Sequence, residues 1–357
     1  MIGVGIVIVP RTSGTSVSVV TAKIATGVGE TSFTANWNAF AGATYYLLDV
    51  SISPSFSSFV LEDEVVLAPT TAYLVADLTS NTTYYYRLRA STDAPPSPIT
   101  ATGGTITFAG GRTIHTFTSS GTFTVLTAPP SPTVKALVVA GGGGGGNYAG
   151  GGGGAGGLLY SARKSIAVTA YAITVGSGGA KPPNSGTIGT NGNNSVFDTL
   201  TAIGGGAGNV NGTAPNSGGS GGGGGAFAYA GAAGTAGQGF AGGGCAGGLS
   251  GAGGGGGAGT LGVGGTITEN GGNGGDGLAY SISGTSTYYS GGGGGSGAAG
   301  VAGAGGGGGG GAGALGIGAS AVNGTANTGG GGGGTWFNDA NLFGNGGSGI
   351  VIISYPT

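Results

Sequence analysis

The side chains that ordinarily carry catalysis are scarce in this chain of 357 residues. Its one histidine, His115, lies in the alternating run Thr113-Ile114-His115-Thr116-Phe117, with no carboxylate or nucleophile at a spacing that would form a relay. Its one cysteine, Cys245, sits in Gly242-Gly243-Gly244-Cys245-Ala246-Gly247-Gly248 and cannot form an internal disulfide, which fits synthesis in a reducing cytoplasm. No His/Cys/Asp/Glu cluster has the spacing of metal ligands, and GxGxxG strings occur only inside glycine runs, without the strand-to-helix context a dinucleotide requires. An enzyme is not expected, nor a cofactor, nor a metal. The residues left to do chemistry are aromatic: Phe227, Tyr229 and Phe240, then Tyr280, Tyr288 and Tyr289, both groups lying between glycine runs, then Trp336, Phe337 and Phe343 after the last run. Ring faces on rigid loops suit stacking on sugars and packing on protein loops, and tyrosine adds a hydroxyl at low entropy cost. The candidate contact residues are Trp336, Phe337, Tyr288 and Tyr289, then Phe227, Tyr229 and Tyr280. Capping the open ends of the glycine region is the alternative use for any one of these rings.

The elements that must hold these loops are unusual. Of 96 glycines, only 11 precede Gly141, so the remainder of the chain far exceeds the ~7% of ordinary proteins. Glycine-poor and glycine-rich parts therefore obey different rules, and a domain boundary is expected near residue 140. Seven runs of five or more glycines follow: 141–146, 150–154, 221–225, 253–257, 291–295, 305–311 and 329–334. Glycine-rich sequence defaults to a flexible linker, because glycine loses the most entropy on ordering. Two features oppose that default here. Segments such as Gly259-Thr260-Leu261-Gly262-Val263-Gly264-Gly265-Thr266-Ile267-Thr268 interpose β-branched residues, and non-glycine residues recur at intervals of three, as in Gly271-Gly272-Asn273-Gly274-Gly275-Asp276. Three is the repeat of an extended left-handed helix rising ~3.1 Å per residue with no internal hydrogen bonds. Its outward N–H and C=O groups need partners, and glycine lets neighbouring helices approach closely enough to supply them. A six-residue run would be about 20 Å long. The expected second domain is a block of packed polyglycine II helices with connecting loops.

Strands must frame that block. The runs Thr113 to Phe117, Gly121-Thr122-Phe123-Thr124-Val125 and Thr133-Val134-Lys135-Ala136-Leu137-Val138-Val139-Ala140 precede the first glycines, and Gly349-Ile350-Val351-Ile352-Ile353-Ser354-Tyr355 closes the chain. So apolar a terminal strand needs partners, and pairing with Val134 to Val139 would close a β base under the glycines. Ile166 to Gly176 and Ser195 to Ile203 are placed on the same base. Upstream, Ser32 to Trp37, Thr44 to Ser51 and Tyr84 to Ala90 alternate as strands of an all-β sandwich. The domain assignment is an attachment segment at 1–17, a β-sandwich at 18–102, base strands at 103–140 and the glycine-rich domain at 141–357. The opening Met1-Ile2-Gly3-Val4-Gly5-Ile6-Val7-Ile8-Val9 lacks a basic flank and is shorter than the ~20 residues that span a bilayer, so it reads as a strand or docking segment.

Two resemblances follow from these motifs. Tyr73 to Ala90, with Trp37 upstream, is similar to a fibronectin type III domain. That likeness implies that Trp37 is the core tryptophan and that Leu78 and Tyr84 form the corner before the penultimate strand, the Tyr84 hydroxyl bonding nearby backbone. From Thr116 to Pro356, the sequence TFTSSGTFTV, the TVGSGG turn, NGNNS and the closing NGGSGIVIISYP resemble the glycine-rich domain of tailed-phage fibre and tail proteins. The resemblance implies a virion adhesin, made in the host cytoplasm and extracellular after release, that recognises a bacterial surface protein or glycan through the aromatic loops. Other fibre or baseplate proteins, and further copies of the chain, are the implied virion partners. A net charge of −2 offers no field for phosphate backbones, so nucleic acid is not expected. One rival reading is a structural decoration of the virion without receptor binding. A more remote one is an ice-binding protein presenting flat Thr/Ala faces.

Overall fold

The computed structural model describes residues 3–6, 17–57, 59–76, 78–93, 98–129, 131–180, 187–210, 213–227, 230–245, 247, 251–336 and 342–357. The described residues are all β, with several sheets, no helix and no barrel. The chain divides into two compact units, Met1–Ser97 and Pro98–Thr357.

The first unit contains β1 (Gly3–Ile6), β2 (Val17–Val20), β3 (Ala22–Thr26), β4 (Phe33–Trp37), β5 (Tyr45–Ser51), β6 (Phe59–Leu67), β7 (Ala72–Val75) and β8 (Thr83–Ser91). Strands β3, β4 and β7 form one sheet, and β8, β5 and β6 form another, with β1 and β2 both on the outer edge of β8. Alternation drives the assembly: Phe33, Ala35 and Trp37 turn inward from β4 to meet Tyr46, Leu48, Tyr86 and Leu88 from the facing sheet. Trp37 packs edge-on against Tyr46 with ring centroids 5.5 Å apart. On the opposite face of β5 and β8, buried Asp49 accepts from Arg87 Nε at 2.8 Å, and the Arg87 guanidinium lies 4.2 Å from the centre of the Phe56 ring.

Two sequence expectations change here. Gly3 to Ile6, assigned to an attachment segment at 1–17, pair in parallel with Thr83 to Tyr86 and so belong to the sandwich. Val17 to Val20 cover Leu88 to Ser91 and Gly3 to Ile6 cover Thr83 to Tyr86, so the edge of β8 is not left unpaired. A Cβ at Gly5 would lie 2.5 Å from the Tyr85 ring, so glycine allows that ring to lie across the strand. Thr100 to Thr102, counted with the sandwich at 18–102, instead pair with Thr124 to Thr127 of the second unit.

The second unit starts with a base of two facing sheets. Its strands are β9 (Thr100–Thr102), β10 (Thr105–Ala109), β11 (Arg112–Phe117), β12 (Gly121–Thr127), β13 (Thr133–Val139), β14 (Leu158–Ser165), β15 (Ala170–Thr174), β16 (Ser195–Phe197) and β17 (Leu200–Ala202). After the hairpin β18 (Leu278–Tyr280) and β19 (Thr287–Tyr289), the chain ends with β20 (Ile350–Pro356). One sheet runs β10-β11-β20-β13-β14 and the other β17-β16-β15-β12-β9. The terminal strand pairs with β13 as expected, with Lys135 opposite Ser354 and Val139 opposite Ile350. The runs Ala136 to Val139 and Ile350 to Ile353 are continuously apolar because both faces are covered: Val138, Val351 and Ile353 face Phe123 and Phe197, while Leu137, Val139 and Ile352 face Ile282 and Tyr289.

The glycine segments stand on this base. In 141–146, Gly141 and Gly144 donate their N–H groups to Asn193 and Thr190, Gly142 and Gly145 to Gly347 and Gly344, and Gly143 and Gly146 to Gly154 and Gly151. Carbonyls of the same segment accept from Gly205 and Gly208, from Gly179, and from Gly332 and Thr335. Bonding therefore repeats every three residues and radiates to neighbours on all sides. Segment 150–157 does the same, with Gly150, Gly153 and Gly156 donating to Thr335, Gly332 and Gly329, and Gly152 and Ala155 to Gly253 and Gly256. Each bond is worth about 1 kcal/mol net, and together they replace a side-chain core.

Candidate functional site

Strand polarity fixes where each loop lies within the second unit. Strand β13 runs directly into segment 141–146, and segment 150–157 returns into β14, so the turn at 147–149 sits at the end away from the base. Gly329, Gly332 and Thr335 accept in turn from Gly156, Gly153 and Gly150, so this segment climbs away from the base and puts Trp336 at the same far end. Ser220 bonds Ala155 and Gly223 bonds Gly152, so this segment climbs away from the base and delivers Phe227 to the far end as well.

Three of these turns are joined through one residue. Ala149 N–H donates to the Trp336 carbonyl at 2.9 Å, and the Ala149 carbonyl accepts from Ala226 N–H at 3.0 Å. Tyr148, Trp336 and Phe227 consequently sit on adjacent, backbone-linked turns. Tyr148 is 46% and Phe227 41% exposed, and Trp336 is half-buried, so all three rings are accessible while remaining partly supported. Tyr148, Ala149 and Phe227 hold positive φ angles of 49°, 57° and 77°. Non-glycine residues resist that conformation by roughly 1–2 kcal/mol each, so the surrounding bonds must impose it. Beneath the rings, Asn147, Asn209, Ser296 and Thr335 are fully buried, each directly after the last glycine of its segment. The Ser296 hydroxyl donates to the Gly150 carbonyl at 3.0 Å, and Asn209 Nδ2 donates to the Thr213 carbonyl at 2.8 Å. The Ser296 and Asn209 side chains thereby add bonds where the glycine lattice stops.

Among the described residues, charge is segregated toward the other end. Arg112, Lys135, Arg163, Lys164 and Asp198 all belong to base strands or their turns, and Lys164 pairs with Asp198, whose carboxyl is held below the usual range by that hydrogen bond. At the far end, Glu269 is the charged side chain among the described residues. No cluster of metal-ligating side chains occurs among the described residues.

The sequence-derived contact residues do not form one group. Phe227 and Trp336 lie together at the far end. Tyr280, Tyr288 and Tyr289 lie at the base instead, because segment 270–277 descends and runs into the β18–β19 hairpin. Tyr289 is 3% exposed, packed with Ile114 and Leu137, and cannot contact a receptor; Tyr280 stacks on Tyr160 with centroids 4.7 Å apart, and burial raises its hydroxyl pKa. Tyr288 points to solvent from that hairpin. Tyr229 and Phe337 lie outside the described residues. Tyr148 was not singled out by the sequence; its signal is a turn of only three residues, Asn147-Tyr148-Ala149, between two glycine runs. In the first unit, Trp37, Leu78 and Tyr84 share the core, and the Tyr84 hydroxyl accepts from Thr79 N–H at 2.9 Å.

A family profile described as a glycine-rich domain matches residues 118–356, from the turn before β12 through the closing strand. The chain belongs to this glycine-rich domain family. The match takes in the base strands with the glycine segments, so in this glycine-rich domain the sheets and the lattice form one continuous unit. No curated protein matches the chain.

Proposed function

We propose that this chain is a tailed-phage virion adhesin whose glycine-rich domain binds the bacterial surface with its far end. The single observation carrying this reading is the linkage of Tyr148, Phe227 and Trp336 on three turns locked together through Ala149. Aromatic side chains near the centre of a rigid face are the usual anchors of recognition. In this reading the lattice is a polyglycine II bundle, supported by its three-residue bonding repeat, and the first unit is a fibronectin type III-like spacer, supported by the Tyr84 to Thr79 bond. The polypeptide enters the second unit at the base, which leaves the opposite end for the host. A bacterial surface protein or glycan is the partner, and a far end whose charged side chain among the described residues is Glu269 makes its attraction one of ring packing and hydrogen bonding more than ionic pairing. The protein acts in the virion, outside the cell after release, alongside other fibre or baseplate proteins.

The test is binding of the purified chain to host cells, compared with a variant carrying Tyr148→Ala, Phe227→Ala and Trp336→Ala that retains the thermal transition of the parent. Loss of binding in that variant, with parental binding changing less than about twofold between low and high salt, is the expected result. Unchanged binding by the variant would sink the far-end site. Failure of the parent to bind any host would favour a decorative virion protein.

A further inference from the structure

At the rim of the lattice, Asx-Gly pairs at intervals of three grip every third residue of a neighbouring segment. Asn270 Oδ1 accepts from Val301 N–H at 2.8 Å while Gly271 N–H donates to the Val301 carbonyl at 2.8 Å. Asn273 Oδ1 accepts from Ala304 N–H and Gly274 N–H donates to the Ala304 carbonyl, both at 2.9 Å. Asp276 and Gly277 hold Gly307 in the same way, both bonds at 2.7 Å. The arrangement recurs elsewhere on the rim, where Asn323 and Gly324 hold Asn345 with two bonds of 2.8 Å. In each clamp a side-chain carbonyl replaces the lattice neighbour that is missing at the surface.

These clamps use the two groups that react in the spontaneous loss of ammonia from Asn-Gly sequences. In a free chain the glycine nitrogen gives its proton to a base and attacks Asn Cγ. The Cγ–Nδ2 bond then breaks, and ammonia leaves with a proton from solvent. Water later opens the resulting cyclic imide at either carbonyl, giving aspartate or isoaspartate. Here the glycine N–H is committed to a lattice carbonyl, and the Asn carbonyl is committed to a lattice N–H, so imide closure requires both bonds to break.

We propose that Asn270, Asn273 and Asn323 are latent deamidation sites, silent in the folded lattice and converted only where it opens locally. Asp276 identifies the product the clamp tolerates, since a carboxylate oxygen occupies the third position of the same series. Isoaspartate would instead add a methylene to the backbone and break the repeat of three. Asn273 is the cleanest position, because its Nδ2 makes no hydrogen bond among the described residues, whereas Asn270 Nδ2 donates to Thr268 Oγ1 at 3.2 Å.

The whole chain would be held at mildly alkaline pH in native buffer and, separately, in denaturant, and conversion at each Asn followed by peptide mass spectrometry. Conversion at these three positions is expected to be at least about tenfold slower in native buffer, as for other reactions gated by local opening. Equal rates would overturn the proposal. Independently, Asn273→Asp should keep the parental melting temperature and Asn273→Ala should lower it. An equal loss in both variants would contradict the acceptor-only role of the clamp.

Discussion

Leu48 in the first unit and Gly153 in the second are both buried, yet their surroundings differ in kind. Leu48 is enclosed by the side chains of the sandwich core. Gly153 is enclosed by backbone: its N–H donates to Gly332, its carbonyl accepts from Gly293, and a Cβ would overlap the carbonyl of Gly143. A side-chain core can relax around a deletion by rotamer changes. A backbone lattice has no comparable adjustment, because the Gly143 and Gly144 carbonyls that the intruding group would meet already accept from Gly332 and Gly208. The two units should therefore fail in opposite ways, one when side chains are removed and the other when they are added.

The largest expected effect is Gly153→Ala. One methyl group should force apart segments on several sides and cost the second unit more than ~4 kcal/mol, beyond the usual range for single substitutions. Calorimetry of the full chain should show loss of the second unit's transition with the first unit's intact, and a stable, normally melting Gly153→Ala protein would break the comparison. Next is Leu48→Ala, expected to cost the first unit about 2–5 kcal/mol through the cavity it leaves, with no change in the second unit's transition.

A smaller effect comes from His115, buried between Phe123 and Tyr355. Its Nδ1 must donate to the Gly103 carbonyl at 2.7 Å, which leaves Nε2 to accept from the Tyr355 hydroxyl at 2.9 Å in the neutral ring. Burial lowers the His115 pKa, partly offset by the Gly103 bond. The unfolded chain thus binds the proton more readily, so stability of the second unit should decline as pH falls below the ordinary histidine value of ~6.5 and level off below the folded value. Melting temperatures across this range, with His115→Gln abolishing the slope, would check it. The smallest effect is Gly29→Ala, where the added Cβ meets only Ser32 at ordinary contact distance, so stability should stay within about 0.5 kcal/mol. Set beside Gly153→Ala, it isolates the lattice as the cause of the difference.

Parts of this architecture were legible because they rest on local or repetitive signals. The apolar runs at Val134 to Val139 and Ile350 to Tyr355 announced a shared sheet, and the interval of three announced the bonding period. Strand β1 was not legible as part of the sandwich, since it pairs with Thr83 to Tyr86 far along the chain and nothing in its own sequence encodes that partner. The β18–β19 hairpin was missed because Leu278 to Tyr280 and Thr287 to Tyr289 are too short to show alternation. Tyr280, Tyr288 and Tyr289 therefore look in sequence like the loop aromatics Phe227 and Trp336, although they lie at the opposite end of the domain. Which end a loop occupies depends on the direction of each glycine segment, and a run of identical residues gives no sign of its direction.

The same uniformity means that an uninterrupted glycine run has several nearly equivalent alignments against its neighbours. Sliding one by three residues would restore the bonding pattern of the glycines that stay within the lattice. Only the residues that end the runs distinguish one alignment from the next. If Ser296 slid one period along its segment, its hydroxyl would leave the Gly150 carbonyl and its Cβ would enter a space sized for glycine. Asn147, Asn209, Ser296 and Thr335 therefore act as stops in an otherwise slippery text, and the positions of the far-end loops are spelled by these few letters rather than by the glycines between them.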